Sequence, residues 1–138
     1  MDLQKTFSKY SDLSLLLLRI AFGVRLIWGT QDNILSYDRM LEFAGFLEAN
    51  GFPLPIFSAF VSVYLQFAAG VCWILGFWVR ESALVMMANF IIAFLMVHIG
   101  DTYINTAPAI HLLTISFFLV CSGGGKYAID SKVMILKK

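Results

Sequence analysis

The sequence contains few charged residues, few cysteines and no excess of charge of either sign. Only 14% of its 138 residues are Asp, Glu, Lys or Arg, whereas about 25% is usual in a soluble domain. The net charge is +1, so the chain has no basic surface of the kind that binds nucleic acid, and no nucleic-acid motif is present. The cysteines, Cys72 and Cys121, form neither a CxxC pair nor a zinc pattern, and the simplest interpretation is two small apolar residues.

Apolar residues dominate the composition. They make up 59% of the chain, and the mean hydropathy is +0.79. Such a composition provides too little polar surface to cover a water-facing globule. We therefore predict an integral membrane protein in contact with the lipid bilayer, with residues 1–138 forming one transmembrane domain.

Four apolar runs predict an all-α, four-helix, up-and-down bundle. The runs lie at about 13–33, 55–78, 82–99 and 108–122; a span needs about 20 residues, so the last run is short. Backbone groups in lipid must bond internally, which favours helices, and short connections favour antiparallel neighbours. The first run follows two lysines, as in a signal peptide, but no small-residue cleavage site follows it, so we expect it to be kept as a span.

The segment at about 36–50 predicts a short amphipathic helix between the first two spans. Tyr37, Met40, Ala44 and Leu47 share one helical face, and the charged residues lie elsewhere. A helix in the outer membrane interface and a packed extracellular loop explain this pattern about equally well.

Lysine and arginine are distributed unequally between the two sides of the predicted bundle. One side carries the two termini and the turn at 79–82, and the opposite side carries only Arg39. The positive-inside rule then predicts that both termini lie in the cytoplasm. The basic residues on the predicted cytoplasmic side are Lys5, Lys9, Arg80, Lys126, Lys132, Lys137 and Lys138.

Polar side chains recur inside the first two spans at helical spacing. On the first span the stripe is Ala21, Arg25, Gly29 and Asp32, and on the second it is Ser58, Ser62, Gln66 and Gly70. We expect the two stripes to face each other, because small residues permit close approach and a mid-membrane arginine needs polar partners. The pair Arg25 and Gln66 is then either a clamp that fixes helix register or part of a ligand or proton site.

Two other polar residues relate to Arg25. Asn89 on the third span lies where the side chain of Arg25 is expected to point. Arg19 lies nearer the cytoplasmic face, where it can extend towards the headgroups or pair with Asp12. We therefore expect replacement of Arg25 to disturb the protein more than replacement of Arg19.

A second group of polar residues is expected near the outer ends of the spans. It comprises Asp32, His98, Asp101 and His111. Imidazoles and carboxylates at one depth can bind a metal or relay protons. The candidates come from separate elements without a metal-binding spacing, so we expect no metal and favour histidines that bond carbonyl groups. No Ser-His-Asp set, paired-carboxylate site or dinucleotide fingerprint is present, so no catalytic residue is assigned.

Three stretches resemble DoxX-like membrane proteins. They are "LLLRIAFGVRLIWGTQDNI" at 16–34, "VYLQFAAGVCWILGFWVRESALVMM" at 63–87 and "GGGKYAID" at 123–130. Each motif is loose alone, but their order and spacing are fairly specific. The residues at family-pattern positions are Arg19, Gly29, Gly76, Arg80, Gly125, Lys126, Tyr127 and Asp130.

The resemblance implies a four-helix protein of the inner (plasma) membrane with a link to redox chemistry. One branch of such proteins supplies subunits of thiosulfate:quinone oxidoreductases, and others are tied to oxidative or quinone stress. This sequence departs from the pattern at three positions. Gln66 stands where many relatives have Glu, Asp32 where they have a basic residue, and Trp28 where His is common.

Two functions follow from these features. The first is a membrane component of a redox system that binds a quinone or another apolar small molecule among Arg25, Trp28, Gln66 and Asn89. The second is a non-catalytic subunit or chaperone that docks partner proteins, and in that case side chains should fill the bundle interior. The partners would be oxidoreductase subunits or a second copy of the chain. An enzyme and an accessory to an oxidoreductase both fit the sequence.

Overall fold

The computed structural model describes residues 3–136, and within that range the ordered elements are all helical. Four of the helices are long and apolar enough to cross a membrane, which confirms the predicted all-α bundle of four spans. Lys137 and Lys138, part of the predicted cytoplasmic charge, lie outside the described residues. The helices are α1 (Leu3–Ser8), α2 (Ser11–Leu35), α3 (Tyr37–Ala49), α4 (Pro55–Leu75), α5 (Val79–Ala93, continued by a π-helical turn at Phe94–His98), α6 (Tyr103–Ser122) and α7 (Ile129–Leu136). The spans are α2, α4, α5 with its π turn, and α6.

Three helix boundaries differ by three residues or more from those expected, namely the end of α4, the start of α5 at Val79 rather than 82, and the start of α6. Helix α4 ends three residues early because Gly76 adopts a left-handed conformation (φ 75°) and its N–H bonds to the Cys72 carbonyl at 2.8 Å. Helix α6 begins at Tyr103, five residues before the predicted start. Asp101 explains this start, because its carboxylate accepts hydrogen bonds from the Thr102 N–H at 2.7 Å and from Asn105 at 2.9 Å. Proline 108 is therefore inside the helix rather than at its beginning.

The bundle consists of two closely packed pairs, α2 with α4 and α5 with α6, joined through contacts between α4 and α5. Gly23 and Gly70 set the closeness of the first pair. A Cβ built on either glycine would lie 2.7 Å from the other's carbonyl oxygen, so the two backbones touch. The buried face of α2 comprises Leu15, Arg19, Gly23, Leu26 and Thr30.

The expectation that Ala21, Arg25, Gly29 and Asp32 form the contact face of α2 is wrong, since all four are exposed. The close glycine contact turns α2 so that Gly23 rather than Ala21 faces α4. Both alternatives place small residues at helical spacing, and the 3.6-residue repeat alone could not separate them.

The short helix α3 packs on α4 at one end of the bundle, called here the α3 end. Its buried residues Met40, Ala44 and Leu47 contact Ala59 and Val63 of α4. The side chain of Ser36 caps α3 by accepting a hydrogen bond from the Arg39 N–H. The position of α3 in the membrane interface stays a prediction.

The opposite end, called here the α7 end, holds most of the family-pattern residues. Asp130 at the start of α7 accepts hydrogen bonds from the N–H groups of Trp78 (2.9 Å) and Val79 (3.0 Å), which begin α5. Arg80 donates to the carbonyls of Val120 (2.6 Å) and Cys121 (3.0 Å), which end α6. These charged side chains satisfy helix termini that would otherwise lack partners, so their role here is structural.

Arg19 is a core residue of the α7 end, and the expectation that it reaches towards the headgroups is wrong. Its side chain is 0% exposed, and Nη2 donates to the Tyr127 carbonyl at 3.4 Å. It does not pair with Asp12, whose carboxylate instead accepts a hydrogen bond from the Lys126 N–H at 3.1 Å. The loop before α7 folds over Arg19 and removes it from the surface, a long-range contact that spacing within α2 does not reveal.

Candidate functional site

A cavity of about 650 Å³ lies inside the α3 half of the bundle. It is lined by residues of α2, α3, α4, α5 and α6. The cavity results from the way the helices pair. Helix α2 packs along α4 and α5 packs along α6, which leaves a space between α2 and the α5–α6 pair. The volume is within the range typical of small-molecule sites.

A chain of polar side chains connects α4 to α5 at the cavity wall. Gln66 Nε2 donates to Ser62 Oγ at 3.0 Å, and Ser62 Oγ donates to Asn89 Oδ1 at 3.0 Å. All three side chains are half-buried and line the cavity. Within the described part of the chain, Gln66 Oε1 and Asn89 Nδ2 have no hydrogen-bond partner. One acceptor and one donor group are thus left for a ligand.

Arg25 of α2 lines the same cavity but joins no hydrogen bond or ion pair among residues 3–136. The clamp, one of the two alternatives for Arg25 and Gln66, is therefore not formed, although Gln66 Oε1 is free to accept a hydrogen bond because Ser62 engages only the Nε2 group. Gly29 makes room for the guanidinium, since a Cβ at that position would lie 2.7 Å from Arg25 Nη1. The side chain thus runs towards the α3 end, away from the direction expected from Cβ geometry.

Trp28, the fourth residue expected at this site, does not line the cavity. Its side chain is 70% exposed. It lies two positions after buried Leu26, which places it roughly 200° around the helix. Three of the four expected residues therefore share one cavity, and Trp28 faces the surroundings of the bundle.

The rest of the cavity wall is mostly apolar and aromatic. Phe43 and Phe46 of α3 stack with ring centroids 6.4 Å apart and line the cavity together with Phe52, Phe57 and Met96. The sequence analysis did not select these residues. The signal was present in Phe43 and Phe46, which lie three residues apart beside the Met40, Ala44 and Leu47 face.

His98 ends the π turn of α5 and also lines the cavity. Its Nδ1 lies 3.6 Å from Asp101 Oδ2, and it is buried without a hydrogen-bond partner in the described structure. Hydrogen bonds from the Asn105 side chain and the Thr102 N–H lower the pKa of Asp101. The carboxylate therefore keeps its charge beside the imidazole at neutral pH.

The outer group of four polar residues is only partly assembled. His98 and Asp101 form the ion pair just described, whereas Asp32 is exposed elsewhere. His111 is exposed and lies eight residues inside α6, about 12 Å from its first residue, because α6 starts earlier than expected. Over the described range, no group of three or more His, Cys, Asp or Glu side chains is placed to hold a metal ion.

Comparison with known proteins gives one match. The DoxX family model matches residues 14–99, more than half of the chain. The matched range contains Arg25, Gln66 and Asn89, whereas the motif at 123–130 lies beyond it. No curated protein and no solved structure matches the chain.

Proposed function

This chain belongs to the DoxX family, and we propose that it is the membrane component of a redox system whose cavity binds a quinone-like or other apolar small molecule. The observation that carries the proposal is the cavity of about 650 Å³, in which polar groups without protein partners meet an aromatic wall. Binding sites for apolar cofactors combine these two features.

The arrangement of donors favours one orientation of the ligand. Arg25 and the Asn89 Nδ2 group are hydrogen-bond donors facing the cavity, and they suit a carbonyl oxygen at the polar end of a ring. The rings of Phe43, Phe46 and Phe52 line the remaining wall and suit an apolar body or tail.

This chain supplies binding and orientation rather than electron transfer. Gln66 stands within the polar chain, and an amide does not exchange a proton as a carboxylic acid does. The redox step is therefore assigned to a partner, most plainly an oxidoreductase subunit. The distribution of lysine and arginine supports cytoplasmic termini, and membership of the DoxX family supports a place in the plasma (inner) membrane.

A docking subunit or chaperone was the alternative, and it carried the expectation of a filled interior. A cavity of this size does not meet that expectation. We therefore place ligand binding ahead of docking, with assembly into an oxidoreductase or a homo-oligomer as a consequence to be examined after the ligand.

Binding of decylubiquinone to the purified protein in detergent tests the proposal. The matched variants are Arg25→Leu/Gln66→Leu, which removes two cavity groups, and Arg39→Leu/Thr114→Val, which removes similar groups from exposed positions outside the cavity. Loss of a hydrogen bond to a charged group costs about 1.5–3 kcal/mol, so we expect the cavity variant to bind roughly tenfold more weakly or worse.

The control variant should bind the quinone as the native protein does. Equal binding by both variants, or no binding by the native protein, would reject a quinone site at these residues. Thermal unfolding of each variant without ligand shows whether a loss of binding reflects a loss of folding.

A further inference from the structure

We propose that the cavity selects amphiphiles whose head carries a negative charge, such as a long-chain carboxylate, over neutral molecules of the same shape. This inference rests on the proposed function, because it concerns the same cavity and specifies the chemical class of its ligand. It is based on the charge of the cavity wall and on the hydrogen-bond donors and acceptors there that have no partner in the described structure.

Among the described residues, the cavity wall carries a cation, Arg25, but no carboxylate. Arg25 and His98 are the only titratable side chains among the described residues that line the cavity, and no Asp or Glu lines it. The carboxylate of Asp101 lies 3.6 Å from His98 but outside the cavity lining. It accepts hydrogen bonds from the Thr102 N–H and the Asn105 side chain. Among the described residues, no carboxylate lines the cavity or forms an ion pair with Arg25.

An unneutralised guanidinium at mid-span is costly. Arg25 lies ten residues before the end of α2, or about 15 Å along the helix from the α3 end. An arginine at such a depth costs at least about 2.5 kcal/mol on insertion scales. A neutral carbonyl supplies an acceptor but leaves the charge, whereas a carboxylate supplies both the acceptor and the opposite charge.

The side chains beside Arg25 also offer a hydrogen-bond donor to an anion. Asn89 Oδ1 already accepts a hydrogen bond from Ser62, so the group of Asn89 that remains without a partner is the Nδ2 donor. Gly29 allows the Arg25 guanidinium to lie close along α2 and face the cavity. Two donors, Arg25 and Asn89 Nδ2, and one acceptor, Gln66 Oε1, thus lack protein partners beside an apolar space. The two donors suit a carboxylate with an alkyl chain, and Gln66 Oε1 is left to a water molecule or to a hydroxyl of the ligand.

The test measures the direct binding of three radiolabelled ligands with one alkyl chain, namely oleate, oleyl alcohol and methyl oleate, to the purified protein at pH 8. We expect oleate to bind the native protein roughly tenfold or more tightly than the two neutral ligands, as charge-assisted hydrogen bonds provide. In Arg25→Gln this preference should disappear while the weak binding of the alcohol persists. Arg39→Gln, which removes an exposed arginine of α3, should keep the preference.

Two sources could supply such a head, a free fatty acid and an anionic phospholipid. Competition by phosphatidylglycerol but not by phosphatidylcholine would support the anionic head and identify the lipid as its source. A preference for oleate without competition by phosphatidylglycerol would support the anionic head and identify the free acid.

The outcomes separate this inference from the proposed function. Equal binding of oleate, alcohol and ester, together with binding of decylubiquinone, would overturn the charge preference and leave the apolar site intact. Absence of binding by all four molecules would overturn both proposals. A preference for oleate that survives in Arg25→Gln would overturn the assignment of Arg25.

Discussion

The two arginines of α2 should respond differently to the same substitution, and in the reverse of the order expected from the sequence, because Arg19 is buried and Arg25 is exposed. Arg19 is fully buried and donates to the Tyr127 carbonyl at 3.4 Å. Arg19→Leu removes that bond and leaves a void, but it also relieves the burial of Nε and Nη1, which have no hydrogen-bond partner in the described structure. We expect a net loss of about 1–2 kcal/mol. Arg25 has no partner in the described structure, so Arg25→Leu loses no bond and relieves a cation in an apolar wall. We expect its stability to lie within about 0.5 kcal/mol of the native value or above it.

Reversible unfolding in mixed micelles, followed as a function of SDS mole fraction, measures both differences. Arg39→Leu serves as the control for loss of an exposed arginine, since its ion pair with Glu42 (3.1 Å) is solvent-exposed and such pairs contribute at most about 1 kcal/mol. The reasoning fails if Arg19→Leu is as stable as the native protein, or if Arg25→Leu loses as much stability as Arg19→Leu.

Three shorter predictions concern the ends of the bundle. Gly76→Ala should prevent stable folding, because φ is 75° and the new Cβ would overlap the guanidinium of Arg19 and the backbone of Ala128. Gly45→Ala, where a Cβ has open space, should instead gain about 0.5–1 kcal/mol of stability. Expression yields and melting temperatures of the two variants measure the difference, and equal effects would contradict this prediction. Asp101→Asn should lower the melting temperature at pH 7, because the hydrogen bond from Asn105 lowers the pKa of Asp101 and favours its carboxylate. The difference should shrink as the pH falls below about 4 and through that lowered pKa, and a difference that does not shrink as the carboxyl is protonated contradicts the assignment. A reporter active only in the periplasm should give no signal when fused to Lys138, and a strong signal would reverse the proposed topology.

The number of spans could be predicted from the sequence because it follows from composition and run length. A run of about 20 apolar residues has few alternatives to a membrane helix. The start of α6 could not be predicted in this way, because Asp101 and Asn105 look like loop residues until their hydrogen bonds are known. The proline at position 108 then suggested a helix start that lies five residues too late.

The depth of the candidate site within the bundle could be predicted from the sequence, but the rotation of α2 about its own axis could not. Arg25, Gln66 and Asn89 were expected together since they lie at similar distances from the helix ends, and the structure places all three on one cavity. Which face of α2 meets α4 depends on the Gly23 and Gly70 contact, a choice between neighbouring small-residue stripes that the spacing leaves undecided. The burial of Arg19 depends on a loop more than a hundred residues away.

The central claim is that a ligand occupies the cavity between α2 and the α5–α6 pair, and photolabelling tests it most directly. The purified protein would be irradiated with a quinone carrying a diazirine on its tail, and the labelled peptides would be identified by mass spectrometry. We predict labelling of the less exposed aromatic residues of the wall, Phe43, Phe52 or Phe90, suppressed by excess unlabelled quinone. Labelling confined to outward-facing residues such as Trp28, or labelling that excess quinone does not suppress, would contradict the claim.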